Sequence, residues 1–224
     1  MGSHRKPRAS SGPFNGRAVR TVLLAAGAAG VATAVPAHAA TGPARAAIVS
    51  DNVFTNANRL HHTQAKDSFT VREFGNTRSA SVRNQANAVS MGCSVDDKCR
   101  SVALSFQIVT IAGDVHRLKA VNVSDAANKY CDGCQTLAGA YQFVVSTPNP
   151  LKLDAGARRQ LDDIQHRLDA LTRSGLPATE LQTKVDALAG EVNGILKNAV
   201  AKAPKGHERP DVTLHRRLDG WPRH

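Results

Sequence analysis

The 224-residue chain lacks the short signatures that mark many hydrolases and nucleotide-binding enzymes. It has no H-E-x-x-H, in which two histidines one helical turn apart hold zinc, and no G-x-S-x-G, which lifts a nucleophilic serine onto a sharp turn. No glycine-rich loop is present to cradle a phosphate. Aromatic residues make up only 4% of the chain, and basic residues are not clustered beside them. Specific nucleic-acid binding by a basic stripe with stacking platforms is therefore not expected.

Acidic residues are absent from the first 20 positions, which carry Arg5, Lys6, Arg8, Arg17 and Arg20. The uncharged run "TVLLAAGAAGVATAV" follows at 21–35, and then Pro36-Ala37-His38-Ala39. A positive start, a short apolar stretch and an Ala-x-Ala site are the parts of a secretory signal peptide, so residues 1–39 are expected to be removed on export. The apolar run is too short and too rich in Ala and Gly for a membrane span. No Arg-Arg pair directs the chain to the twin-arginine route. The formal net charge is +11. The leader holds five of those positive charges, and the segment 200–224 has a further excess of three. The body is thus only mildly basic, and its charge bears on solubility and weak attraction to anionic surfaces.

Only four cysteines occur: Cys93, Cys99, Cys131 and Cys134. In an exported chain an even number of cysteines points to disulfides, here two. They belong to an apparent duplication. Placing "CRSVALSFQIV" (99–109) over "CQTLAGAYQFV" (134–144) matches Cys99 with Cys134, Ala103 with Ala138, Gln107 with Gln142, and Val109 with Val144. Upstream, Cys93 falls with Cys131, Ala88 with Ala126, and Asn84 with Asn122. Each copy reads as an extended stretch ("SASVRN"; "VHRLKAVN"), a short Ala/Asn segment suited to a helical turn, a cysteine pair, and a β-prone run. In the β-prone runs, Val102, Leu104, Phe106 and Ile108 alternate with small or polar residues, as do Leu137, Tyr141, Phe143 and Val145. Period-two alternation reads as strand. The bulky face is expected to meet the core, and the small face to allow close packing of another element.

The period changes over 150–199. Leu161, Ile164, Leu168 and Leu171 recur at helical spacing behind a candidate N-cap at Asp154. "SGLP" (174–177) interrupts, and Leu181, Val185, Leu188, Val192 and Ile195 restart the pattern. This reads as an αα-hairpin with one apolar stripe per helix. The stripes are expected to cover the chain's own sheet, with pairing to a second chain as the other use of such a face. Residues 40–66 are mixed and polar and read as a flexible linker, with His61-His62 an exposed pair. Residues 200–224 read as a disordered basic tail. About 130 residues remain for an ordered core, enough for one modest domain.

Cys131-Asp-Gly-Cys134 has the spacing of a redox dithiol. A reactive C-x-x-C cysteine usually sits at a helix N-terminus, where the dipole stabilises its thiolate, whereas this pair leads into a strand pattern. Its counterpart Cys93–Cys99 has a longer gap that suits neither redox chemistry nor the usual zinc knuckle. All four cysteines are therefore read as disulfide staples. Their connectivity stays open, since each of the three pairings survives exchange of the two copies. His116 is the single histidine of the duplicated region and has no catalytic partner near it in sequence, although a triad assembled in space is not visible at this level. "LPATE" (176–180) has the look of a sortase signal, but an amphipathic helix follows it in place of an apolar stretch. Pro177 opening the second helix is the better reading.

The cysteine-led "CRSVALSFQIV" and "CDGCQTLAGAYQFVV", followed by the amphipathic segment around "RSGLP", resemble a group of actinobacterial exported proteins, some labelled as similar to peptide zinc metalloproteases. The likeness covers about residues 75–199. It implies an accessory extracytoplasmic domain and carries over no catalytic residue.

The sequence thus predicts an α+β protein: a signal peptide (1–39), a linker (40–66), a duplicated strand–turn–cysteine-pair–strand region forming a small sheet (67–149), a covering αα-hairpin (150–199) and a tail (200–224). The expected function is a secreted, extracellular or wall-associated, non-catalytic binding or structural role toward a protein or cell-surface partner. No cofactor or metal is expected, and self-association through the hairpin is one possible mode. The alternative is a secreted enzyme, either an oxidoreductase using Cys131 and Cys134 or an unrecognised hydrolase.

Overall fold

The computed structural model describes residues 45–203 and 210–219; the expected signal peptide lies outside them. Among the described residues the fold is α+β, with six strands and two helices that precede the last strand. The strands are β1 (Arg45–Asn58), β2 (Thr63–Met91), β3 (Arg100–Ala112), β4 (Arg117–Lys129), β5 (Gln135–Thr147) and β6 (Asp211–Asp219). Helix α1 spans Ala155–Thr172 and helix α2 spans Ala178–Lys202, both between β5 and β6.

All pairings among β1 to β5 are parallel. The 29-residue β2 changes partners along its length. Its first part, from Thr63, pairs with β3, which pairs in turn with β5. Its second part, to Met91, lies between β1 and β4. The path therefore winds, each turn laying one strand on either of two hydrogen-bonded stacks. The β3–β5 register sets Ala103 beside Ala138, Gln107 beside Gln142 and Val109 beside Val144. The β2–β4 register sets Asn84 beside Asn122 and Ala88 beside Ala126. The positions aligned in the sequence are thus neighbours across the ladders.

The two stacks are bound together through their small faces. Ala103, Ala138 and Ala140 pack with Val53, Ala86 and Ala88. Nearby, Val109, Ile111 and Val144 pack with Ala47, Ala80 and Val82. The alanines of the first group bring the backbones close enough for one side chain to reach across. Asn84, fully buried, directs its Nδ2 at Asn122 Oδ1 (3.0 Å), Tyr141 O (3.1 Å) and Ser105 O (3.4 Å), and its Oδ1 accepts from Ser105 Oγ (2.6 Å). Gln107 donates to Arg83 O (2.8 Å), while Gln142 donates to Gln107 Oε1 (2.9 Å) and Val121 O (3.2 Å). Buried amides need partners, and here the partners are mostly backbone carbonyls of the facing stack.

The opposite, bulky face of β3 and β5 meets the helices. Val102, Leu104, Phe106, Ile108, Leu137, Tyr141, Phe143 and Val145 form one core with Leu161, Ile164 and Leu168 of α1 and Leu181, Val185, Leu188, Val192 and Leu196 of α2. Phe69, Phe106 and Tyr141 stand in register on three strands, with ring centroids 5.9 and 4.6 Å apart. Helix placement is fixed by polar ties. Asp154 Oδ1 caps α1 by accepting from Ala157 N (2.7 Å). Glu73 accepts from Leu153 N (3.1 Å) and pairs with Arg158 (2.8 Å). Arg100 of β3 donates to Leu176 O (2.7 Å) and Ser174 O (3.2 Å) in the loop joining α1 to α2.

Three expectations are corrected. Residues 45–58 and 63–66, expected to be part of a flexible linker, are strand. Ala47, Val53, Thr55 and Ala57 are buried at alternate positions, and Asp51 accepts from Ser68 (2.8 Å) and Thr70 (3.2 Å). The Ala/Asn segments expected to form helical turns continue as strand to Met91 and Lys129, because their small residues fill the space between the stacks. The tail expected to be disordered contains β6, antiparallel to β5. Its Arg216 pairs with Asp186 of α2, which also accepts from Tyr141 Oη (2.7 Å).

Asp67 faces the C-terminal end of α1. Burial, followed by the nearby charge of Asp169, pushes its carboxyl up from 3.8 to about 6, against the opposing pull of Arg173 and Thr172. Between those values the folded chain holds a proton that the unfolded chain has lost, so this group makes stability fall as pH rises from about 4 to about 6. Asp67→Asn should therefore raise Tm at pH 7 by ~2–5 °C and flatten the pH dependence between pH 4 and 7. Thermal unfolding of both chains across that range provides the check; an Asn variant less stable at pH 7 would contradict it.

Candidate functional site

The four cysteines and the His61-His62 pair gather at one end of the strands, where three turns lie over one another. The first, between β1 and β2, is closed by Asn58, whose Oδ1 accepts from Leu60 N (2.9 Å) and His61 N (3.1 Å). The second, between β2 and β3, is closed by the Cys93–Cys99 disulfide, and the third, between β4 and β5, by Cys131–Cys134. Each turn leads into its strand in the same way. Arg100 N donates to His62 O (2.7 Å) and Gln135 N to Cys99 O (2.8 Å), which sets the three turns in a stack. Gly92 and Gly133 have φ of 71° and 72°, the left-handed region a glycine enters without Cβ strain.

The four cysteines form one cluster with the buried Ala57. Cys99 is fully buried, Cys93 and Cys134 nearly so, and Cys131 half-buried beside the exposed Tyr130. The sulfurs of Cys93, Cys131 and Cys134 all lie within 4.8 Å of one another. Three sulfurs this close would suit a metal as thiolates, but disulfide pairing removes the thiolates. Sequence reasoning placed all four residues correctly in disulfides. It left connectivity open because the two copies are symmetric, and the stacked turns settle it within each turn. Cys134 is followed at once by β5, so no helix N-terminus stabilises a thiolate there. Two disulfides are consistent with an oxidising compartment.

The remaining candidates do not join this cluster into a catalytic set. His116 is exposed, with Nε2 3.4 Å from the exposed carboxylate of Asp114. It lines a shallow trough of about 430 Å³ with Ser79, Ser81, Arg117 and Lys119. Among the described residues, no hydrogen bond joins His116 to either serine, so the base–nucleophile contact of a triad is not formed. A second depression, of about 590 Å³, lies between α1 and α2 and is lined by Arg159, Asp163, Glu191 and Asn198 among others. Arg167 bridges Glu191 through two contacts of 2.7 Å, which holds Glu191 below the usual carboxylate range. Such exposed pairs contribute little to stability. Pro177 is the N-cap of α2, which supports the turn reading of "LPATE". Among the described residues, no helix is long and apolar enough to cross a membrane.

Sequence reasoning missed the amide layer around Asn84, Asn122, Gln107 and Gln142 as a unit, although the aligned Asn and Gln pairs signalled it. No known protein family, curated protein or solved structure matches the chain.

The turn geometry predicts that non-reducing peptide mapping finds Cys93 joined to Cys99 and Cys131 joined to Cys134, with no free thiol in the purified native chain. A crossed pairing as the main species would contradict this arrangement.

Proposed function

We propose that this is a secreted, non-catalytic protein of the cell exterior whose role is binding or structural. One observation carries the reading: among the described residues, the buried amides of the interlayer donate from one strand stack to the other, and all four cysteines are held in disulfides. Asn84, Asn122, Gln107 and Gln142 bridge the stacks, and the cysteines close the turns. Nucleophile, base and oxyanion donors would have to converge for hydrolysis, and His116 lacks the first of those contacts.

In this reading the β2–β3 and β4–β5 regions are two copies of one unit. The equivalence of Asn84 with Asn122 and of Gln107 with Gln142 across the ladders supports that view. A third, divergent copy would be β1 with the start of β2, where Asp51 stands beside Asn84 and Ser68 beside Ser105. Turn-by-turn repetition of this kind builds extended contact surfaces. The two helices act as a hairpin lid over the bulky face. With their apolar stripes spent on the strands, the outward faces are polar and ion-paired, which favours a polar partner over self-association through the helices. Export with cleavage after Ala39 would deliver the chain to its surface partner.

The mature chain, residues 40–224, should co-sediment with isolated cell envelopes at low ionic strength and be inactive toward insulin disulfides and generic peptide substrates. Turnover of either substrate class, abolished by replacing Cys131 or His116, would replace this reading with the enzymatic one.

A further inference from the structure

The cysteine cluster combines two features that simple staples do not require. The first is a steep gradient of access. Cys99 is fully buried and Cys93 is 3% exposed, whereas Cys131 is half-buried at the surface of the neighbouring turn. A reagent in solution therefore meets the Cys131–Cys134 bond and is shielded from the Cys93–Cys99 bond. The second is proximity: Cys93 Sγ lies within 4.8 Å of both sulfurs of the accessible pair. Two disulfides closing separate turns could have stood far apart. The ladder registers, with Arg100 beside Gln135, bring them together.

We propose that the two disulfides form an exchange relay, in which a thiol that attacks the accessible pair passes its effect to the buried one. In the first step a small thiol from the surroundings attacks Cys131 Sγ as its thiolate. A mixed disulfide forms at Cys131, the Cys131–Cys134 bond breaks, and Cys134 leaves as a thiolate. In the second step Cys134 Sγ attacks Cys93 Sγ, a Cys93–Cys134 bond forms, and Cys99 leaves as a thiolate that takes up a proton. Each step exchanges one disulfide for another, so the only co-reactant is the entering thiol. The outcome is a chain modified at Cys131 whose second and third turns are tied to each other, with its free thiol moved from Cys134 to the fully buried Cys99. This extends beyond the binding or structural reading and does not depend on it. The entrant is a low-molecular-weight thiol, for which glutathione serves as the probe.

The test begins with Cys131→Ser, which leaves Cys134 as a thiol in the position it would occupy after the first step. The purified variant is held at pH 8 without reductant, quenched in acid, alkylated and mapped by mass spectrometry. The relay predicts a Cys93–Cys134 bridge together with alkylated Cys99. An intact Cys93–Cys99 bridge with alkylation confined to Cys134 would overturn it. The second arm compares the native chain with Cys131→Ala/Cys134→Ala during exposure to glutathione. Loss of the Cys93–Cys99 bond should be slowed about tenfold or more in the double variant, because direct attack must then wait for local opening. Equal rates in two chains with matching far-UV circular dichroism would overturn the relay. If the double variant does not fold, mapping of Cys131→Ser decides the matter alone.

Discussion

The fold depends on how closely the two strand stacks approach each other. Ala, Ser and Asn at the facing positions leave a thin interlayer, and into it Asn84 extends an amide that meets backbone oxygen atoms of β3 and β5 as well as Asn122. With larger side chains there, the carbonyls would be out of reach and the amide would be buried without partners, at a cost of about 1–3 kcal/mol for each unsatisfied group. Small residues and buried amides therefore require each other. This coupling also explains why the bulky residues lie on the opposite face, where Phe106, Tyr141 and Phe143 pack under the helices.

Much of this was legible in the sequence. The alternation in 101–111 and 136–146 identified two strands and which of their faces is bulky. The matched pairs Asn84–Asn122 and Gln107–Gln142 turn out to be ladder neighbours. The helices were legible because Leu161, Leu168, Leu181 and Leu188 repeat at helical spacing, although Thr172 and Leu196 are buried where Leu171 and Ile195 are only partly so. β1 was not legible. Its inward residues include Asp51, Val53, Thr55 and Ala57, a mixture whose strand character comes from pairing with β2 and from hydroxyl partners 17 and 19 residues away. β6 was also hidden, since its ordering rests on the β5 edge and on Asp186, neither of which is local. Covering that edge has a physical use, because an open strand edge invites further pairing.

The candidate site was legible in part. Four cysteines in a chain expected to be exported implied two disulfides, and following Cys134 with a strand pattern removed the helix dipole that reactive dithiols use. What no spacing rule could supply was the stacking of the turns, which sets Cys93 beside Cys131 and Cys134. That arrangement follows from the strand registers, and the registers follow from the interlayer. The chemistry available to the sulfurs is thus a consequence of the same close approach that organises the core.

The most direct measurement is the denaturant stability of Asn84→Leu, which keeps the branching and the number of side-chain heavy atoms and removes both hydrogen-bonding atoms. The account predicts a loss of roughly 2–4 kcal/mol, because Ser105 Oγ, Asn122 Oδ1 and the carbonyl of Tyr141 would lose their partner. A leucine variant as stable as the parent chain would contradict it, and would mean that apolar packing alone holds the two stacks together.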